Sequence, residues 1–140
     1  MDAALLEKLE RYFAERPALG VASAYLFGSQ ADGREHRESD IDVGVLLLWD
    51  HHPTARDRFE ARVDLISDLG AALGRNDIDV VILNDAPPLL GRRIVYEGHR
   101  LFRGNPAADH EFIRDVQLRA ADLEPWLQKM RRLQLEALAR

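Results

Sequence analysis

Gly28-Ser29, ten intervening residues, Asp40-Ile41-Asp42 and a further acid at Asp79 are the part of this sequence whose residue types and spacing could do chemistry. On a strand, side chains two apart share a face, so Asp40 and Asp42 would stand side by side while Ile41 and Val43 turn to a core. Two neighbouring carboxylates repel each other, and a hard divalent cation such as Mg²⁺ relieves that repulsion through the oxygen ligands it prefers. If the strand bearing Asp79 lies alongside, three carboxylates can hold two Mg²⁺, one shared with triphosphate oxygens and one with an attacking hydroxyl. Gly28-Ser29 falls where a strand should end. A missing Cβ there lets backbone N–H groups and the Ser29 hydroxyl approach a phosphate closely. The sequence contains no Gly-x-x-x-x-Gly-Lys-Ser/Thr, which disfavours ATPases and kinases of that class.

The elements that must position these residues follow from hydrophobic periodicity. Leu5, Leu6, Leu9, Tyr12 and Phe13 recur at helical spacing, predicting a helix over residues 3–16 that ends before Pro17. Residues 21–27 are apolar, with β-branched and aromatic members, and read as a strand running into Gly28. A second strand covers 40–48, where Ile41, Val43 and Val45 alternate with Asp40, Asp42 and Gly44. Phe59, Val63, Ile66, Leu69 and Leu73 predict a helix stopped by Gly74. A third strand follows at 78–83, then a short helix from Pro87-Pro88 to Tyr96, closing at Gly98, and a short strand at 100–102. Residues 106–140 are helical in pattern, with Pro125 expected to bend or divide them. This order predicts an α/β or α+β fold, a small mixed sheet flanked by helices, in one domain over 1–140 with 106–140 as a helical extension. Asp77 shares a strand face with Asp79, but Asp79 is enclosed by Ile78, Val80 and Val81 whereas Asp77 sits at a frayed start beside Asn76, so Asp79 is the favoured third acid.

Composition removes several alternatives. Without cysteine there is no disulfide, thiolate metal site or Cys nucleophile. A net charge of −5 argues against generic nucleic-acid binding, and Arg92, Arg93, Arg100 and Arg103 read as a solvated face balanced by acids. The longest apolar run, residues 43–49, is far short of a membrane span, and residues 1–16 lack the pattern of a secretory signal, so a cytoplasmic protein is expected. His51-His52 has no acidic partner at metal-like spacing and reads as turn decoration. Arg103 and His110 match the loose Arg-x4-6-His pattern of HEPN ribonucleases, but Gly104, Asn105 and Pro106 interrupt any single helix carrying both.

Leu26-Phe27-Gly28-Ser29, the spacer and Ser39-Asp40-Ile41-Asp42 resemble the Gly-Ser-x10-Asp-x-Asp signature of the DNA polymerase β-like nucleotidyltransferase superfamily. Within it the chain is most similar to the minimal nucleotidyltransferases, MntA-like antitoxins paired with HEPN-domain (HepT-like) toxins. The likeness spans about residues 25–102 and includes Asp77-Ile78-Asp79-Val80-Val81, Ala86-Pro87-Pro88-Leu89-Leu90 and Tyr96-Glu97-Gly98. The resemblance implies metal binding by Asp40 and Asp42, acceptor activation by Asp79, ATP as donor, AMP as the transferred group and a toxin tyrosine as acceptor. A binding-only antitoxin that occludes its toxin is the alternative. A transferase acting on an aminoglycoside-like small molecule is disfavoured, because the chain has no room for a large second domain. The apolar residues between Phe112 and Leu138 are expected to pack on the domain's own sheet, with a partner-binding face as the rival reading.

Overall fold

The computed structural model describes residues 2–28 and 40–139. Helix α1 (Ala3–Ala14) is started by Asp2, whose carboxylate accepts the free amide of Ala4 at 2.9 Å. Strand β1 (Val21–Phe27) follows a single 3-10 turn, and β2 (Ile41–Leu47) lies antiparallel to it. Helix α2 (Ala55–Leu73) opens on a capping box between Thr54 and Asp57 and closes at left-handed Gly74. Then come β3 (Ile78–Ile82), α3 (Pro88–Glu97), β4 (His99–Arg103) and α4 (Pro106–Leu138). The strands form one mixed sheet in the order β3-β2-β1-β4, with β3 parallel to β2 and β4 antiparallel to β1.

Strand alternation sends side chains to two cores. Ala24, Leu26, Ile41, Val43, Val45 and Val80 pack with Leu9 and Phe13 of α1 and Leu65 and Leu69 of α2. On the other face Ala22, Tyr25, Leu46 and Leu83 pack with Ile94 of α3, joined by Phe112 of α4. Both faces of the sheet are therefore covered, and burying a single aliphatic side chain in either layer contributes about 1.5–3 kcal/mol. Gly44 permits the second layer to close, since a Cβ there would lie 2.9 Å from the Ile94 side chain.

Three expectations need correction. The apolar residues whose helical spacing predicts α2 include Phe59 and Val63, yet both are exposed, and the buried residues are Arg58, Leu65 and Leu69. Apolar spacing cannot register a stripe that places an arginine inward. Arg58 is held there by ion pairing with Asp85 at 2.9 Å and by the ring of Trp49 beneath its guanidinium. Second, Pro125 does not divide α4, which is one helix of 33 residues. Proline deprives the carbonyl four residues earlier of its partner, here Ala121, whose exposure lets water take that place. Third, the last part of α4 does not pack on the sheet: beyond Ala120 no described residue is buried, and Trp126 is 57% exposed. No helix among the described residues is long and apolar enough to cross a membrane.

Candidate active site

The sheet brings the sequence-predicted acids to one end of its central strands. Asp42 and Asp79 are partners in the parallel β2–β3 register, one strand spacing apart and on the face covered by α3 and α4. Asp40 stands exposed, just before β2 begins. Burial of Asp42, reinforced first by the charge of Asp79 and then by that of Asp40, holds its carboxyl above the usual range. Asp42 thus sits in the unfavourable field of both other acids, the condition a divalent cation would relieve.

Opposite them β1 ends at Phe27, paired with Asp42, and the chain turns at Gly28 with φ of 76°. A Cβ on Gly28 would sit 2.5 Å from Asp42 Oδ2. The turn needs glycine twice over, for its left-handed backbone and for the close approach of that carboxylate. Ser29, the other half of the predicted phosphate cradle, lies outside the described residues. A cleft of about 170 Å³ beside the turn is lined by Phe27, Gly28, Leu90, Arg93 and Glu97. Larger clefts, about 480 and 580 Å³, lie toward the opposite end of β2, around Leu47. They are far from the carboxylates in register, so size alone would misplace the chemistry.

The choice between Asp77 and Asp79 has a geometric basis. Asp77 is committed to Arg75, whose Nε donates to Asp77 Oδ1 at 2.7 Å, and that bond pulls the carboxyl below its ordinary range. Asp79 takes the register position facing Asp42, with one oxygen bonded to Arg62 at 3.0 Å. Sequence reading missed Arg62. The available signal was the pair Arg58 and Arg62, one helical turn apart on α2.

These residues fit Mg²⁺ in donor chemistry and in charge. Oxygen donors from Asp42, Asp79 and Asp40 would supply part of a hard cation's shell, leaving positions for water and triphosphate oxygens. Among the described residues, no three acidic or histidine side chains are already gathered tightly enough to enclose an ion.

Most residues discounted from the sequence are engaged elsewhere in the fold, and one reading changes. Arg92 pairs with Glu124, Arg93 with Glu97 at 3.1 Å, and Arg100 with Asp109 at 2.9 Å, so three of the four clustered arginines are balanced by acids. Arg103 ends β4 while the exposed His110 lies in α4, on a separate element. His51 is exposed, but His52 is half-buried and its Nε2 lies 2.8 Å from the Leu19 carbonyl, a fastening role the sequence did not reveal.

A mixed sheet with acids in register on its central strands and a glycine turn facing them defines a nucleotidyltransferase architecture. The polymerase beta, nucleotidyltransferase family model matches residues 7–107, and the chain belongs to that family. It is 39% identical over 80 residues to the protein adenylyltransferase MntA of Shewanella oneidensis, a match covering 56% of this chain and 51% of that protein. The chain therefore spans about half the length of that curated relative. A crystal structure of a toxin–antitoxin with AMP-PNP is similar at a TM-score of 0.65 and 26% identity, over 96% of this chain and 98% of the other. The fold is shared at a TM-score of 0.62 and 22% identity with a structure of tri-AMPylated Shewanella oneidensis HEPN toxin in complex with MNT antitoxin, over 96% and 99% of the two chains.

Proposed function

We propose that this protein is a cytoplasmic Mg²⁺-dependent adenylyltransferase that moves AMP from ATP to a tyrosine hydroxyl of a HEPN-type toxin, and so acts as the toxin's antitoxin. The observation that carries the proposal is the in-register pairing of Asp42 with Asp79 beside the Gly28 turn, with the Asp42 carboxyl raised by burial and by both neighbouring acids. In this reading residues 1–140 are one domain whose helical extension begins at 106. Asp40, Asp42 and Asp79 are the metal ligands, two ions being accommodated, and Gly28 with Ser29 receives the triphosphate. Bound Mg²⁺ would neutralise charge on the phosphate oxygens.

The chain's own residues account for the remaining steps. Gly28 leaves room for phosphate oxygens to approach its backbone, and Ser29 donates its hydroxyl. The acceptor oxygen attacks the α-phosphorus in line, its proton passes to Asp79, and the bond from α-phosphorus to the bridging oxygen breaks to release pyrophosphate. The cleft beside the turn is lined by Phe27, Gly28, Leu90, Arg93 and Glu97, with no tyrosine among them, and in this reading the acceptor tyrosine arrives on a partner. The exposed apolar face of α4, including Trp126, Met130 and Leu133, supports docking of that partner.

The same exposed face favours a second reading, in which the antitoxin neutralises by occlusion with little or no catalysis. Incubation of the protein and its HEPN partner with ATP and Mg²⁺, followed by intact-mass analysis, separates the two. Mass gains in units of AMP on the partner, absent with Asp40→Asn/Asp42→Asn, are expected. An unmodified partner in a tight complex would favour occlusion, and modification by the double variant would rule out the assigned site.

A further inference from the structure

Arg62 lies half-buried on α2, one turn after buried Arg58 and beside exposed Val63, where a long cationic side chain would ordinarily turn to solvent. Its guanidinium instead reaches the sheet's edge strand: Nε donates to the Val80 carbonyl at 2.6 Å and a terminal nitrogen donates to Asp79 Oδ1 at 3.0 Å. The Val80 N–H donates to that same Oδ1 at 2.9 Å. Two donors thus converge on one carboxylate oxygen, and among the described residues none reaches Oδ2. The second anchor matters. Because Arg62 is tied to Val80 backbone as well as to Asp79, its planar fork is fixed before any substrate arrives.

We propose that Arg62 is a positioning residue for nucleotidyl transfer, clamping Asp79 through Oδ1 so that Oδ2 is the oxygen presented to the acceptor hydroxyl and the metal site. The inference rests on Asp79 acting as the acceptor-activating acid. A carboxylate free to rotate would spread its lone pairs over unproductive orientations, and loss of such an orienting partner typically costs about 10–100-fold in activity. Arg62 is also a fixed positive charge beside a cation site. Its electrostatic effect on metal affinity therefore opposes its orienting effect on turnover, and that opposition distinguishes it from a residue that only stabilises the fold.

The test compares Arg62→Gln and Arg62→Lys with wild type in the full chain, using transfer kinetics on the partner, Mn²⁺ binding without nucleotide, and thermal unfolding. Both variants are expected to lose about 10–100-fold in kcat with little change in KM for ATP. Arg62→Gln should bind Mn²⁺ about five- to tenfold more tightly, the change expected when one positive charge leaves the neighbourhood of a divalent ion, while Arg62→Lys should bind as wild type does. Wild-type kcat in Arg62→Gln, or full rescue of kcat by lysine, would overturn the clamp. So would weaker Mn²⁺ binding by Arg62→Gln in parallel with lost thermal stability, the result for a merely structural arginine. A wild type that transfers nothing refutes the underlying reading and the clamp with it, whereas active wild type with unaffected Arg62 variants refutes the clamp alone.

Discussion

Replacing Asp42 with asparagine should stabilise the metal-free protein while abolishing its chemistry. Asp42 faces Asp79 across adjacent parallel strands, whose spacing of about 5 Å sets the scale of separation for the two carboxylates. Two unit charges at that separation repel by about 3 kcal/mol at an effective dielectric of 20, and by less than 1 kcal/mol in water. Both groups are partly solvated, so screening brings the net relief to about 1 kcal/mol. For a chain of 140 residues that corresponds to a rise in Tm of about 3 °C in EDTA. The sign should reverse with ligand. Wild type in saturating Mg²⁺ and a nonhydrolysable ATP analogue gains about 2.7 kcal/mol at a hundred times Kd, and the variant should lose most of that gain. The effect also has a pH signature. Because the native carboxyl of Asp42 is raised, its contribution to stability is complete below the unfolded value near 3.8 and is lost as pH rises through the raised native value. The advantage of the asparagine variant should therefore grow across that window and vanish below it. Differential scanning fluorimetry across pH, with and without ligand, reads all three effects. A variant less stable than wild type in EDTA at pH 7, or one with undiminished ligand stabilisation, would refute the reasoning.

Other expectations follow from the same geometry. Gly28→Ala combines a left-handed backbone with a Cβ 2.5 Å from Asp42 Oδ2, so it should lose about 1–2 kcal/mol in denaturant melts and most of its nucleotide affinity; wild-type affinity would remove Gly28 from the site. Asp109 is fully buried, accepts from Tyr25 and from Arg100 at 2.9 Å, and ties α4 to β1 and β4, while burial, then the Asp109 bond, pushes the Tyr25 hydroxyl up to about 12. Asp109→Ala should therefore cost about 3–5 kcal/mol by urea unfolding, and a loss below 1 kcal/mol would contradict that anchoring role. Trp126→Glu, on the exposed part of α4, should weaken partner binding at least tenfold by calorimetry without lowering Tm, whereas unchanged affinity would move the docking face elsewhere.

Much of this arrangement is legible in local sequence because strand geometry is local. The alternation through Ile41, Asp42, Val43 and Gly44 identifies both the inward face and the paired acids, and glycine before a polar stretch marks the turn that faces them. Relations set by tertiary packing are not legible in the same way. No pattern states that β3 pairs with β2 in the register joining Asp79 to Asp42, although that register separates Asp79 from Asp77. Arg62 escaped notice because its role depends on α2 lying over the edge of β3, and Phe59 and Val63 entered the helical pattern only because they are apolar. The exposed part of α4 shows the converse limit: apolar residues at helical spacing specify a face that could be covered, not what covers it.

The central claim concerns which phosphorus of ATP is attacked, and parallel reactions with α-labelled and γ-labelled ATP in the presence of Mg²⁺ and the HEPN partner test it most directly. The account predicts label on the partner from α-labelled ATP only, with pyrophosphate released in equal amount and both signals lost in Asp40→Asn/Asp42→Asn. Label from γ-labelled ATP, or no label on any protein alongside full neutralisation of the toxin, would contradict it.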